Sequence, residues 1–183
     1  MTIRPYQPKD RDAVRFVCLN SEGPNTAPED ENEFVLAIFC DYYIEREPWN
    51  CFVAVDETDR AIGYVICAAD YDHFAPVLQS EYITRLSPGN PYYNAALHSA
   101  DGEEKHKTEY PAHLHINILP EYQRQGVGHQ LIDRLCVHLR QKGIPGVMLC
   151  VGALNKTGIG FYRKYGFTLL ETLPGDLAFG IKL

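Results

Sequence analysis

The stretch EYQRQGVGHQLIDRL, residues 121–135, places two glycines, Gly126 and Gly128, at the start of an otherwise regular helical pattern. Glycine in a helix costs roughly 0.5–1 kcal/mol relative to alanine, so both positions call for a reason. The first N–H groups of a helix have no intrahelical partners, and the helix dipole favours anions at this end. Glycine lets a phosphate approach these donors because no Cβ stands in the way. The stretch therefore predicts an anion site whose donors lie between Gln125 and His129.

The two commonest phosphate-binding loops do not fit this stretch. A P-loop requires the pattern GxxxxGK[ST], and no lysine follows Gly128. The dinucleotide fingerprint GxGxxG requires a third glycine, which is absent. A nucleotide-binding protein stays an alternative that an ATP titration would test, although it lacks the lysine and the magnesium-holding residues. A plain structural alternative is that the two glycines only permit a tight turn.

Outward from this stretch, the sequence alternates strand-like and helix-like segments. A short strand at 2–6, a helix at 8–20 and a helix at 31–46 precede a hairpin at 51–69. A strand at 113–119, the helix after the glycines, a strand at 146–153, a helix ending at Gly166 and a final strand pair follow. This order predicts an α/β fold, with one domain over residues 1–183, a mixed sheet and helices on both faces. We interpret the less regular residues 70–111 as an insertion with a short helix.

Composition and charge argue against several classes of function. The 183 residues carry a net charge of -7, whereas nucleic-acid surfaces are usually basic. No segment approaches the ~18 uncharged apolar residues of a membrane span, and no signal peptide is visible. Six cysteines form no CxxC pair, and most lie in apolar runs, which is typical of buried thiols in a reducing compartment. We therefore expect a cytoplasmic protein, monomeric or homodimeric, that binds neither nucleic acid nor membranes.

A second motif lies further on, in LCVGALNKTGIGFYRKYGF, residues 149–167. Together with QRQGVG, residues 123–128, it resembles the GNAT superfamily of N-acetyltransferases, whose phosphate turn has the signature Q/R-x-x-G-x-G/A. The matching residues are Gln123, Gly126 and Gly128 in the turn, and Asn155, Tyr162, Gly166 and Phe167 in the second motif. HLHINILPEYQRQGVG, residues 113–128, is also similar to bacterial acetyltransferases that resemble the acetyltransferase-like domain of O-GlcNAc hydrolases.

The resemblance implies acetyl-CoA as cosubstrate and a sheet in which two parallel strands, 113–119 and 147–151, splay apart to receive it. The turn would hold the pyrophosphate, and it comprises Gln123, Arg124, Gln125, Gly126, Val127, Gly128 and His129. Backbone groups of Ile116, Ile118 and Leu119 would hold the pantetheine and polarise the acetyl carbonyl. Asn155 would hydrogen-bond the pantetheine arm, and Gly158 follows it where the family often has alanine.

By the same resemblance, Tyr162 would donate a proton to the sulfur of coenzyme A. A phenol with an ordinary pKa near 10 is protonated at neutral pH, so it can act as an acid without special tuning. The alternative is a half-buried tyrosine that only packs beside Phe161 and Tyr165. Gly158 and Gly160 soften this helix, so we expect its start to order with ligand.

The general base is less sharply marked. His113 and His115 alternate with apolar residues on strand 113–119 and so point to one face, where either could deprotonate an ammonium. The alternative is that they only hydrogen-bond within the fold. Glu109, before the strand, is a further candidate, because family members can carry a carboxylate there. Metal binding is not expected, since no carboxylate or cysteine pattern accompanies the histidines.

The leading hypothesis is an acetyl-CoA-dependent N-acetyltransferase that acts on a primary amine of a small molecule or peptide by direct transfer. The insertion 70–111 would shape the acceptor site, with Tyr82, Tyr92, Tyr93 and Tyr110 as wall residues, although tyrosines can also simply pin down a surface loop. The alternative function is an acyl-CoA-binding module with weak or no catalysis, used in sensing or protein interaction.

Overall fold

Seven strands form one mixed sheet in the computed structural model, which describes all 183 residues. The strands are β1 (Thr2–Pro5), β2 (Phe52–Val55), β3 (Ala61–Ala68), β4 (Ala112–Ile118), β5 (Gly146–Gly152), β6 (Thr168–Thr172) and β7 (Asp176–Lys182). Their order across the sheet is β1-β2-β3-β4-β5-β7-β6. All neighbours are antiparallel except β4 and β5, which are parallel. The α/β fold with a mixed sheet that the sequence predicts is confirmed.

Eight α-helices cover the two faces of this sheet. They are α1 (Arg11–Asn20), α2 (Glu29–Leu36), α3 (Tyr42–Arg46), α4 (Tyr71–Val77), α5 (Tyr93–Leu97), α6 (Asp101–Glu104), α7 (Val127–Gln141) and α8 (Lys156–Tyr165). A π-helical stretch, Ala37–Asp41, joins α2 to α3, so the predicted helix 31–46 is one continuous helical segment that starts two residues earlier. None of the helices is both long enough and apolar enough to cross a lipid bilayer.

The two faces of β4 differ in what packs on them. His113 and His115 contact Tyr43 of α3, which places α3 on their face. Ile118 points to the other face and lies against Gly128 of α7, and α8 packs on α7 through Tyr165. The alternation predicted for this strand therefore separates a polar face under α1 to α6 from an apolar face under α7 and α8.

Residues 70–111 contain more helix than the single short helix predicted from the sequence. They form α4, α5 and α6 together with a π-helical stretch, Leu78–Tyr82, and a 3₁₀ turn, Ile83–Arg85. Asp70 caps α4 by accepting the Asp72 N–H at 2.9 Å. Phe74 and Leu78 are buried in the main core, and this burial fixes the chain where its polar sequence suggests a loop.

The parallel strands β4 and β5 pair at only one end. Their register joins Ala112 to Val147 and His113 to Met148, and no pair follows. Each strand is fully paired on its other edge, β4 with β3 and β5 with β7. Beyond the two pairs each strand therefore follows its own partner, and a cleft opens toward the carboxyl ends of β4 and β5.

Candidate active site

The turn between β4 and α7 has the backbone of an anion site. Arg124 and Gly126 both have left-handed φ angles, 60° and 81°. Residues that alternate between left- and right-handed conformations turn successive N–H groups toward one side. The N–H groups of residues 124–129 make no hydrogen bond, and the first bond of α7 runs from Gln130 N–H to Gly126 O at 3.3 Å. Six consecutive backbone N–H groups without a partner therefore lie at the N-terminus of the 15-residue helix α7.

The two glycines serve different purposes in this turn. Gly126 adopts a left-handed conformation, and a Cβ there would meet open space, so its need is conformational. Gly128 has ordinary helical geometry, but a Cβ would lie 3.0 Å from the Phe161 ring and 3.5 Å from Ile118. Gly128 therefore lets α7 pack closely against α8 and β4.

Most side chains around the turn are buried or already bonded within the protein, so the backbone N–H groups are its main donors to an anion. Gln123 donates to Ser21 O at 2.9 Å and to Ile118 O at 2.8 Å, so its amide braces the turn. Gln125 likewise donates to Glu121 O at 2.9 Å. Val127 is buried, and His129 packs edge-on against Phe161, with ring centroids 5.5 Å apart. Arg124 is exposed and has no ion-pair partner, so its guanidinium is available to a phosphate.

A cavity of about 310 Å³ lies in the opening between β4 and β5. Its volume lies at the lower end of the usual range for small-molecule sites. The lining residues are Cys18, Glu22, Val35, Phe39, Leu114, His115, Ile116, Asn117, Leu149, Cys150, Val151, Gly152, Asn155 and Tyr162. The structure thus brings together the predicted residues His115, Ile116, Asn155 and Tyr162 in one cleft.

The free edge of β4 presents backbone groups to this cleft. Leu119 donates its N–H to Ile62 O of β3 at 3.0 Å, and the unbroken register of β3 and β4 makes Asn117 and His115 face β3 as well. Ile116 and Ile118 consequently direct their backbone groups away from β3, and the Ile118 C=O accepts from Gln123. The N–H groups of Ile116 and Ile118 are thus on the free edge of β4, and the Leu119 N–H is not.

Asn155 and Tyr162 stand on the opposite side of the cleft. The Asn155 Oδ1 accepts the Gly158 N–H at 2.8 Å and caps α8, which leaves the Asn155 Nδ2 without a protein partner. α8 begins at Lys156, directly after this cap. The Tyr162 hydroxyl makes no hydrogen bond within the protein. Burial raises the pKa of Tyr162 above its ordinary value, so the phenol keeps its proton at neutral pH.

The two histidines of β4 share one partner. The Tyr43 hydroxyl lies 2.9 Å from His113 Nε2 and 3.0 Å from His115 Nε2. Burial lowers the pKa of His113 to about 3 and that of His115 to about 4. Both rings are therefore neutral at pH 7, and a group with a pKa near 4 is a poor acceptor for an ammonium proton. Only His115 lines the cleft, where it can serve as a neutral hydrogen-bonding group.

Other predicted residues lie away from the cleft. Glu109 is largely exposed before the paired end of β4, and it forms an ion pair with Lys182 at 2.8 Å. Tyr110 packs under the same lysine, and Tyr82 is buried with its hydroxyl 3.1 Å from Glu45. Tyr92 stacks on Phe34 outside the cleft lining, and Tyr93 is an exposed residue at the start of α5. These tyrosines hold the segment 70–111 in place.

Three polar residues at the cleft were not predicted as site residues. Glu22 follows α1 in a segment rich in glycine and proline, and nothing in its local sequence marks it. Asn117 donates to the Tyr64 hydroxyl at 2.9 Å, and its alternation with His113 and His115 was the signal that could have found it. Cys150 lies in the apolar run VMLCVGA, which predicts a buried thiol, whereas the structure leaves it partly exposed.

Known proteins resemble this chain at the level of both sequence and structure. A 65-residue segment, 36% of this chain and 19% of the relative, is 35% identical to the mycothiol acetyltransferase of Thermobifida fusca. A 54-residue segment, 30% of this chain and 36% of the relative, is 38% identical to the ribosomal protein bS18 alanine N-acetyltransferase of Escherichia coli. The matches thus span well under two thirds of these curated relatives.

Solved structures match over nearly the whole chain. The crystal structure of SsHAT superposes with a TM-score of 0.87 and 28% identity, over 99% of this chain and 97% of that one. The PaiA N-acetyltransferase of Thermoplasma acidophilum in complex with coenzyme A superposes with a TM-score of 0.63 and 18% identity, over 100% and 98%. The family model described as the acetyltransferase (GNAT) family matches residues 16–167. The chain belongs to the GNAT acetyltransferase family.

Proposed function

We propose that this protein transfers an acetyl group from acetyl-CoA directly to a primary amine of a small molecule or peptide. The observation that carries the proposal is the row of free N–H groups at residues 124–129, placed at the mouth of a cleft that also holds the unbonded Tyr162 hydroxyl. A diphosphate needs such donors, and a leaving thiolate needs such an acid.

The residues present fit acetyl-CoA in three places. The N–H groups of residues 124–129 and the free Arg124 guanidinium would hold the pyrophosphate. The open edge of β4 at Ile116 and Ile118 would hydrogen-bond the pantetheine as a neighbouring strand does. The Asn155 Nδ2 would donate to it from the other side. Bound there, acetyl-CoA supplies an activated thioester.

Tyr162 would act as the proton donor in this reaction. Its hydroxyl is protonated at neutral pH and has no competing partner, so it can donate a hydrogen bond to a sulfur on which negative charge develops. The phenolate left after that proton transfer would readily take up a proton again, because burial disfavours the charged form.

The segment 70–111 would shape the acceptor side of this single-domain protein. α6 packs on β5 beside the cleft, and α4 packs its Phe74 against His113, with ring centroids 4.3 Å apart. The acceptor would therefore enter over the polar face of β4. We also propose that the protein works in a reducing compartment such as the cytoplasm, as a monomer or homodimer, which its six unpaired cysteines support.

A second function, an acyl-CoA-binding module without catalysis, rests on the histidines. The predicted bases His113 and His115 are neutral and weakly basic, and Glu109 lies outside the cleft. A protein that binds acetyl-CoA but cannot accept the ammonium proton would have such weakly basic histidines.

Two measurements separate these functions. Calorimetric titration with acetyl-CoA tests binding, with ATP as the control nucleotide. A thiol-release screen against polyamines, amino sugars, amino acids and lysine peptides tests transfer. Binding with turnover supports the enzyme, binding without turnover on any amine supports the module, and no binding to folded protein refutes both.

A further inference from the structure

Glu103 is a buried carboxyl group with one unpaired oxygen. It lies on α6, its side chain is 6% exposed, and its Oε2 has no hydrogen-bond partner. The other buried acids are all satisfied: Asp10 by Arg4, Asp41 by Arg15, and Glu47 by Tyr42 and Asn50. A buried carboxylate oxygen without a hydrogen-bond partner is costly, so the Oε2 of Glu103 is a place where an added donor would be stabilising.

The carboxyl group lies directly behind the wall of the cleft. α6 packs on β5, and a Cβ added to Gly102 would come within 2.9 Å of the Cys150 Sγ. Cys150 is a partly exposed residue of the cleft lining. It stands two residues beyond Met148, which pairs with His113, so Cys150 shares the polar face with His113 and His115. Glu103 thus lies behind Cys150, next to the polar side of the cleft, and is not itself part of the lining.

The surroundings of Glu103 are negative and apolar. Burial is the main reason that the pKa of Glu103 rises to about 7; Asp176 of β7 and Asp101 of α6 also raise it, whereas hydrogen bonds from its own N–H and from the Cys150 thiol lower it. The tyrosines Tyr43 and Tyr71 are its neighbours from the helices packed on the same face. The basic residues that follow it, Lys105 and His106, both pair with Glu171, at 2.6 and 3.2 Å. No cation of the chain compensates this carboxyl group.

We propose that Glu103 binds the ammonium group of the acceptor, which reaches it past Cys150 from the cleft between β4 and β5. This inference rests on the proposed acetyl transfer and narrows its substrate to amines that are cationic at neutral pH. An ammonium ion would satisfy the free Oε2 and neutralise the local negative charge, which a neutral aromatic amine cannot do. Asn117 and His115 supply uncharged polar groups on the same face for the rest of the acceptor.

The test compares Glu103→Gln with Glu104→Gln, which removes the charge of the exposed next residue. With the best aliphatic amine from the screen, we expect kcat/KM to fall roughly 10- to 100-fold in Glu103→Gln, the loss of a hydrogen bond to a charged group. Glu104→Gln should match the wild type, and calorimetry should give all three proteins the same acetyl-CoA affinity.

Each result has a distinct meaning. Equal kcat/KM for wild type and Glu103→Gln would overturn the role of Glu103 and leave acetyl transfer intact. No acetyl-CoA binding or turnover by the wild type would refute the proposed function itself. If Glu103→Gln does not fold, Glu103→Asp carries the test, because a withdrawn carboxylate should raise KM for the amine while acetyl-CoA affinity stays constant. An unchanged KM in that variant would equally overturn the proposal.

Discussion

Replacing Glu103 by glutamine should make the protein more stable at alkaline pH, and the size of the effect follows from its burial. The pKa of Glu103 is about 7 in the folded protein against 4.5 for an ordinary glutamate. Because the folded pKa is raised, the folded state holds the proton more tightly than the unfolded state. Stability from this group is therefore greatest at acidic pH and is lost as the pH rises from about 4.5 to above 7.

The magnitude can be estimated from linkage. Between pH 5 and pH 8, ionisation of Glu103 should cost the wild type about 2.5 kcal/mol, at 1.36 kcal/mol per pKa unit. Glutamine does not ionise, so the variant avoids this cost. Its buried amide leaves other polar groups unpaired, but that penalty is the same at both pH values and cancels in the comparison. For a chain of this size the difference corresponds to a shift of roughly 5–10 °C in Tm.

Urea denaturation at pH 5 and pH 8 measures this effect. The stability of the Glu103→Gln variant relative to wild type should rise by about 2–3 kcal/mol between the two pH values. The lowered pKa values of His113 and His115 also make stability depend on pH, but they act in both proteins and drop out. A relative stability that is the same at pH 5 and pH 8 would show that Glu103 is not held in an unfavourable environment.

Three further predictions concern the turn, the acid and the histidine pair. Gly126→Ala should cost about 1 kcal/mol of stability and weaken acetyl-CoA binding, since Gly126 has a φ of 81°. The control Gly160→Ala lies in α8 with open space around it, and it should be neutral or stabilising in thermal melts. Tyr162→Phe should lower kcat at least about tenfold at unchanged acetyl-CoA affinity. Tyr165→Phe is its control, because the Tyr165 hydroxyl donates to Asp133 at 2.6 Å and lies outside the cleft lining. Equal kcat in both variants would remove Tyr162 from the chemistry. Tyr43→Phe should destabilise the protein by about 1–3 kcal/mol, because it removes a hydrogen-bond partner from both His113 and His115. A free energy of unfolding within about 0.5 kcal/mol of wild type would contradict the shared hydrogen bonds.

The sequence was most informative where local chemistry alone decides the structure. The end of α8 at Gly166 depends on residues within a few positions, and the sequence predicts it. The left-handed φ of Gly126 and the cap at Asn155 are equally local features. The alternation of His113 and His115 also placed both on one face correctly.

What escaped prediction depends on contacts between distant segments. Glu103 stands in the run DGEEK, where four of the five residues are charged, and only the packing of α6 on β5 decides which carboxylate is buried. Tyr43 contacts the histidines across 70 or more residues of sequence, and the burial that comes with such long-range packing lowers their pKa values. The ion pair of Glu109 with Lys182 in the last strand likewise joins distant segments.

The incomplete pairing of β4 and β5 also has a mechanical consequence. The sheet consists of two hydrogen-bonded blocks, β1 to β4 and β5 to β7, joined by only two residue pairs. Few direct hydrogen bonds cross the seam between the blocks, so slow opening of the sheet should begin there, and amide exchange at Ile116 and Ile118 should be faster than in the rest of β4. A molecule lodged in the seam links the two blocks, and at 100 times its Kd it adds about 2.7 kcal/mol to the stability of the whole chain. Acetyl-CoA bound along the free edge of β4 would thus take the place of a missing strand between the two blocks.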